Sequence, residues 1–175
     1  MTAQIEEVLI LSGKKRLMTC CPPMPKVHPR IVPREPTGRD DGIYSSTACW
    51  RGYCGTWVIR AGKLYLKSLK GQHCLTKGGP LFADWITGVL RVSRGEELTY
   101  VHMGFYTVTE FDDLIAIERG VVIASSAVDN RVDPDPLARD ERIRAAMPGG
   151  MTRFVDEEPD DPPPCDVPVV KGQDS

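Results

Sequence analysis

The sequence predicts a mainly β protein, an antiparallel meander of about eight strands arranged as a barrel or sandwich, with one C-terminal helix. Short segments rich in Val, Ile, Tyr and Trp are separated by glycine-containing turns. Turn signals spaced about 8 to 12 residues apart are typical of such all-β architectures. Only one stretch, near the C-terminal end, carries apolar residues at helical spacing.

The chain begins with a predicted β-hairpin. In EEVLILSGKKRLMTC two apolar runs flank Ser12, Gly13 and Lys14, a composition typical of a strand, a tight turn and a returning strand. A proline-rich connection follows over residues 22–41, which contain six prolines. Because each proline removes a backbone donor, we expect neither a helix nor a central strand there.

Three more hairpins are predicted in the middle of the chain. The first joins TWVIR to KLYLKSL through Ala61 and Gly62. The second joins DWITGVLRVS to ELTYVHM through the turn RGE, residues 94–96. The third joins LIAIE to VVIAS through Arg119 and Gly120. In each case strong β-formers flank a turn that contains glycine.

The helix is predicted over PLARDERIRAAM. It follows Asp135, and Pro136 suits its first turn. Leu137, Ile143 and Met147 recur at near-helical spacing and predict its apolar face.

We therefore predict a single β-rich domain over residues 1–150, followed by an acidic, proline-rich tail over residues 151–175. The tail lacks the apolar residues that would offset the entropy of ordering, so we expect it to be flexible when alone.

Composition limits the classes of partner. The 22 basic and 24 acidic residues give a net charge of -2, which makes nucleic acid an unlikely partner. No apolar run reaches the ~20 residues needed to cross a bilayer, and the N-terminal segment lacks the pattern of a secretory signal. We expect a cytoplasmic protein with no membrane partner. Its six cysteines are irregularly spaced, and we expect most of them to be reduced thiols.

No common catalytic motif occurs in the sequence. An aromatic and basic group is instead predicted to bind another protein, since these residue types are enriched at binding hot spots. The group is Trp50, Arg51, Tyr53 and Trp57. Strand alternation places Arg51, Tyr53 and Trp57 on one face. The alternative is that Arg51 stacks on the tryptophans inside a two-sided core.

Two further sites are weaker alternatives. An enzymatic site would use His102 as general base, Glu110 as its orienting carboxylate and Arg51 to bind an anionic substrate group. A metal site would use thiolate and imidazole ligands. Its candidate ligands are Cys49, Cys54, His73 and Cys74. Their spacing does not match a zinc knuckle, so we expect no metal and no other cofactor.

Three strings, STACWRGYCGTWVIRAGKLYLKSLKG, LFADWITGVLRV and YVHMGFYTVTEFDDLIAIERGVV, carry a family resemblance. This pattern, strongest in WRGY and YVHMG, resembles a set of uncharacterised bacterial proteins. The resemblance covers about residues 45–125 and implies a bacterial or phage setting without any activity.

Taken together, these features predict a non-catalytic protein-binding module, of the kind that acts as an inhibitor or immunity-type factor in bacterial or phage conflict. The alternative is a small hydrolase or transferase that uses His102 and Glu110.

Overall fold

The computed structural model describes residues 3–35, 46–102, 105 and 107–147. Within them the prediction of a mainly β protein with one C-terminal helix is confirmed. The strands are β1 Glu7–Leu11, β2 Lys14–Met18, β3 Ile31–Pro33, β4 Tyr53–Arg60, β5 Lys63–Gly71, β6 His73–Leu75, β7 Leu81–Phe82, β8 Gly88–Thr99, β9 Val108–Glu118 and β10 Val121–Asp129, and the helix α1 is Pro136–Ala146.

Eight of the described strands form one sheet in the order β10-β9-β8-β2-β1-β4-β5-β7. The sheet is mixed, because β1 pairs in parallel with β4, whereas an entirely antiparallel meander was expected. It curls until β10 meets β5, where Val121 pairs with Lys63. Instead of a regular barrel or sandwich, the structure thus has a curled sheet whose end strand β10 meets β5, the strand next to the other end, at one residue pair. Strands β3 and β6 form a separate antiparallel pair.

Three of the four predicted hairpins are present, namely β1–β2, β4–β5 and β9–β10. Their two-residue turns lie at residues 12–13, 61–62 and 119–120. In each turn the first residue has φ of 47° to 50° and the glycine has φ of 70° to 78°. Positive φ at both positions matches the right-handed twist of the flanking strands, which is why X-Gly pairs mark these turns.

The hairpin predicted at RGE, residues 94–96, is wrong. Strand β8 runs through these residues and pairs along its length with β9. Gly95 has φ of 88° and lies where the register of the two strands shifts. A Cβ atom at Gly95 would lie 2.3 Å from Oε2 of Glu110. Gly95 therefore forms part of a β-bulge. Bulges and tight turns both favour glycine, so the sequence alone does not distinguish them here.

Helix α1 begins as its sequence predicts. The carboxylate of Asp135 accepts hydrogen bonds from the backbone N–H groups of Leu137 and Ala138, each at 3.0 Å, and Pro136 occupies the first turn. Side-chain capping of this kind satisfies donors that have no partner inside the helix.

The buried face of α1 differs from the predicted one. Ile143 is buried as expected, but Leu137 is 71% exposed and Arg139 is only 2% exposed. The Arg139 guanidinium donates to the carbonyls of Phe105 and Thr107, at 3.1 and 2.8 Å. Arginine replaces an apolar residue at this position because the chain before β9 presents carbonyls that need donors.

The core lies on the concave side of the curled sheet, and a smaller cluster lies between the sheet and α1. The main cluster includes Leu9, Met18, Trp57, Leu64, Leu66, Ile86, Leu90 and Ile117. The smaller one includes Val89, Leu114, Ala116, Val128 and Ile143. Strand β9 supplies residues to both clusters, as strand alternation requires of a strand buried on both faces.

The described part of the proline-rich connection contains no helix, and its only strand there, β3, belongs to the small sheet. The indole N–H of Trp85 donates to the carbonyl of Pro23 at 2.9 Å, which holds the connection against the core. Residues 36–41 of the connection and the predicted tail over 151–175 lie outside the described residues. No helix that the structure describes has the length and apolar character needed to span a membrane.

Replacement of Arg139 by Met should destabilise the protein by about 2 to 4 kcal/mol, because two partly buried carbonyls, of Phe105 and Thr107, lose their donors. Urea unfolding measures the effect. Arg144, in the same helix but exposed, provides the matched control, and Arg144→Met should cost less than about 1 kcal/mol. Equal losses for the two variants would show that Arg139 does not fasten the helix.

Candidate functional site

The segment before β4 displays the first residue of the predicted binding group. We call residues 46–52 the Trp50 turn. Inside it, the N–H of Cys49 donates to the carbonyl of Ser46 at 3.0 Å, and the N–H of Gly52 donates to the carbonyl of Cys49 at 2.9 Å. Gly52 has φ of 72°, a conformation that favours glycine. The turn is therefore held by its own backbone.

The N-terminal segment fastens the Trp50 turn from outside. The N–H of Ile5 donates to the carbonyl of Ala48 at 2.8 Å. The side chain of Gln4 donates to the carbonyl of Thr47 at 2.8 Å and accepts from the N–H of Trp50 at 3.4 Å. These contacts join the Trp50 turn to the N-terminal segment, which leads directly into strand β1.

The indole of Trp50 projects from this fixed turn. Trp50 is 58% exposed, whereas its neighbour Cys49 is buried, with an exposed fraction of 2%, and the side chain of Arg51 is only 15% exposed. An exposed tryptophan between two immobilised residues has little freedom to lose on binding.

Beneath the turn, Arg51 reaches a fully buried carboxylate. Its Nε lies 3.3 Å from Oε1 of Glu7, and its terminal nitrogens donate to the carbonyl of Ile5 and to the sulfur of Cys21. The indole N–H of Trp57 donates to Oε2 of Glu7 at 2.5 Å. We call Glu7, Arg51 and Trp57 the Glu7 cluster.

Burial governs the titration of this region. Desolvation raises the pKa of Glu7 to about 7, although Arg51 and the indole of Trp57 both favour the carboxylate. Burial also raises the pKa of Tyr53 to about 12. The pKa of the Cys54 thiol rises to about 12 through burial and the nearby Cys49. A thiol so rarely ionised is a poor nucleophile.

Gly55 makes room for the Glu7 cluster. A Cβ atom at this position would lie 2.7 Å from Nε1 of Trp57 and 2.8 Å from Oε2 of Glu7. Glycine is thus required where the indole and the carboxylate cross strand β4.

The prediction of one exposed aromatic and basic surface is wrong for Trp57, which is 0% exposed. Strand β4 pairs with β1 on one side and β5 on the other, and its inner face belongs to the core. Arg51 lies inside, as the alternative proposed, but it contacts Glu7 and lies 5.9 Å from the ring centre of the half-buried Tyr53. Only Trp50 of the group is strongly exposed.

The described contacts do not assemble the predicted enzymatic site. His102 is exposed, and its Nδ1 lies 2.8 Å from the hydroxyl of Tyr100. Glu110 accepts a hydrogen bond from the N–H of Glu96 at 3.1 Å, next to the β-bulge. Arg51 belongs to the Glu7 cluster. In the part of the chain that the structure describes, these three predicted residues contact other groups and are not joined to one another by a hydrogen bond or ion pair.

The four candidate metal ligands do not form one cluster. The sulfurs of Cys49 and Cys54 lie 3.8 Å apart, and the ring of His73 lies 6.3 Å from that of Tyr53. Cys74 lines a different region, a cleft next to β5. Over residues 3–35, 46–102, 105 and 107–147, no three His, Cys, Asp or Glu side chains are arranged to hold a metal ion.

Sequence reasoning missed Glu7, the residue on which this region is built. The signal was present in EEVLIL, because strand alternation places Glu7 on the same face as Leu9, a core residue. A carboxylate at a core-facing position requires a donor or a cation from another element.

Comparison of the chain with models of protein families, with curated proteins and with solved structures found no match.

The raised pKa of Glu7 predicts a pH-dependent stability. Between pH 4.5 and 7 the folded state retains a proton on Glu7 that the unfolded state has lost, so this residue makes the protein less stable as pH rises. Glu7→Gln removes that dependence. The wild type should lose stability as pH rises from 4.5 to 7, and the variant should not. The difference in unfolding free energy, Glu7→Gln minus wild type, should therefore increase by about 2 to 3 kcal/mol over this pH range.

Urea unfolding at a series of pH values measures this difference. Glu118→Gln, at an exposed position on β9, should show a nearly constant difference and serves as the control. A Glu7→Gln difference that falls as pH rises would contradict the assignment of a protonated, buried carboxyl.

Proposed function

We propose that this protein is a non-catalytic binding protein whose Trp50 inserts into a pocket of a partner protein. The observation that carries the proposal is an indole that is 58% exposed on a turn fixed from both sides. In the same proposal it acts as an inhibitor or immunity-type factor in a bacterial or phage setting.

Tryptophan is suited to this role because it offers a large apolar area together with one N–H donor. Such residues dominate binding energy where they are fully desolvated by the partner. The backbone N–H of Trp50 is already occupied by Gln4. The side chain of Trp50 is therefore available to contact the partner, while its backbone is held by Gln4.

The Glu7 cluster supports the same role. Arg51 follows Trp50 directly, and its guanidinium is anchored to Glu7 inside the protein. Rotation of the Trp50 turn would pull the Arg51 guanidinium away from Glu7 and from the carbonyl of Ile5, and it would leave buried polar groups without partners, which is unfavourable. The free protein thus holds the backbone of Trp50 in place, which reduces the entropy lost on association.

The sequence beyond the described residues adds a charge argument. Acidic residues outnumber basic ones over residues 151–175. A segment of that charge favours a partner with a basic surface and accelerates its association at low salt.

The test compares Trp50→Ala with Val27→Ala, a substitution at a site that is 90% exposed and remote in sequence. Full-length chains capture partners from cells of the source organism, and the purified partner is then titrated by calorimetry. Wild type and Val27→Ala should bind one partner at stoichiometric level, and Trp50→Ala should weaken that binding about 30-fold or more, as expected of a hot spot.

Circular dichroism and thermal unfolding verify that Trp50→Ala is folded. Failure of the wild type to recover a stoichiometric partner would overturn the proposal, as would equal affinities for wild type and Trp50→Ala.

A further inference from the structure

A basic cleft of about 410 Å³ lies beside strands β5 and β6, at the loop formed by residues 76–80. Four cations line it from separate parts of the chain, namely Arg34, Arg60, Lys67 and Lys77. Its volume is within the range of small-molecule sites in proteins.

The charge of this cleft is not neutralised by the residues that line it. None of its lining residues is an aspartate or glutamate. Over the described ranges, the ion pairs of the protein involve other arginines, and none includes these four cations. Such a concentration of positive charge is unexpected in a chain of net charge -2. Like charges gathered in a concave surface attract an anion strongly.

A β-bulge directs Lys67 to the cleft. Thr56 pairs with Ser68 and Trp57 pairs with Leu66, so Lys67 is the extra residue of β5. In a regular strand Lys67 and Ser68 would point to opposite faces, whereas here both line the cleft. Bulges commonly redirect a side chain next to a functional site.

The loop at the mouth of the cleft is held in place from below by Arg30. Its guanidinium donates to the carbonyl of Thr76 at 3.2 Å and to that of Gly79 at 2.6 Å. The N–H of Thr76 returns a bond to the carbonyl of Arg30 at 2.9 Å. Gly78 has φ of 135°, and a Cβ atom at this position would lie 3.1 Å from the same guanidinium. The site is therefore preformed.

The cleft also has apolar and hydroxyl groups. Leu69 is buried, Leu75 is half-buried, and Pro80 completes an apolar part of the lining. Ser68 and Thr76 also line the cleft, and their side chains carry hydroxyl groups that can donate. An apolar surface beside cations and hydroxyls fits a ligand that has both a ring and a phosphate.

We propose that this cleft binds a small organic phosphate of nucleotide size. The cations and hydroxyls hold the phosphate oxygens, since charge-assisted bonds from arginine and lysine are the strong contacts to this group. The apolar lining holds the ring. This site uses none of the residues that carry the proposed protein-binding function, so each can fail independently.

The test titrates the full chain with ATP, with adenosine and with inorganic phosphate, followed by calorimetry and by amide chemical shifts. The informative variant is Arg60→Gln with Lys67→Gln. Its matched control is Lys63→Gln with Lys70→Gln, which removes two charges from exposed positions on the same hairpin that do not line the cleft.

ATP should bind at one saturable site, with the largest shifts at residues 67–68 and 76–79. Adenosine should bind about 10-fold or more weakly than ATP, and the Arg60→Gln, Lys67→Gln variant should lose about 10-fold or more in ATP affinity. The control pair should stay within about 2-fold of wild type.

Three outcomes would overturn the proposal. The first is an absence of saturable ATP binding at millimolar concentration. The second is an equal loss in the two double variants, which would show attraction by general charge. The third is that ATP does not bind, whereas single-stranded oligonucleotides bind with an affinity that increases with their length. That result would assign the cleft to nucleic acid.

Discussion

A buried carboxylate joins three parts of this protein that are distant in sequence. Glu7 belongs to β1, Trp57 to β4, and Arg51 to the turn that displays Trp50. Because a buried carboxyl without partners is costly, the structure keeps these three groups together. Their contacts fix the parallel register of β1 and β4, in which Leu9 lies opposite Trp57. The same contacts hold the turn that carries Trp50, so the core and the proposed recognition residue share one support.

Much of the fold is local in origin and was therefore predictable. The hairpin turns at residues 12–13, 61–62 and 119–120 and the start of α1 at Asp135 depend on residues adjacent in sequence. The predictions were wrong where one residue type is compatible with two local structures, or where a residue's hydrogen-bond partners are distant in sequence. Gly95 signals a turn but forms a bulge, and Arg139 is buried because carbonyls outside its helix need donors. Parallel pairing of β1 with β4 leaves no local mark in the sequence.

The candidate sites were predictable to a smaller extent. Of the group proposed for binding, Trp50 is exposed, but alternation alone does not show which face of β4 is core, and Trp57 proved to be buried. The basic cleft was not predicted at all. Its cations come from residues 34, 60, 67 and 77, which share no motif, and the bulge at Lys67 breaks the alternation from which a face would be assigned. Such a site emerges only from tertiary structure.

The parallel pairing has a consequence for how the chain folds during synthesis. The β1–β2 hairpin leaves the ribosome before β4, so the neighbour that covers the other edge of β1 does not exist until Trp57 and the rest of β4 have emerged. In that interval β1 presents unpaired backbone groups and the apolar residues of EVLIL. Contacts between segments so far apart also slow folding. The nascent chain therefore passes through a stage in which it is vulnerable to aggregation, and a slow rate of translation would prolong that stage.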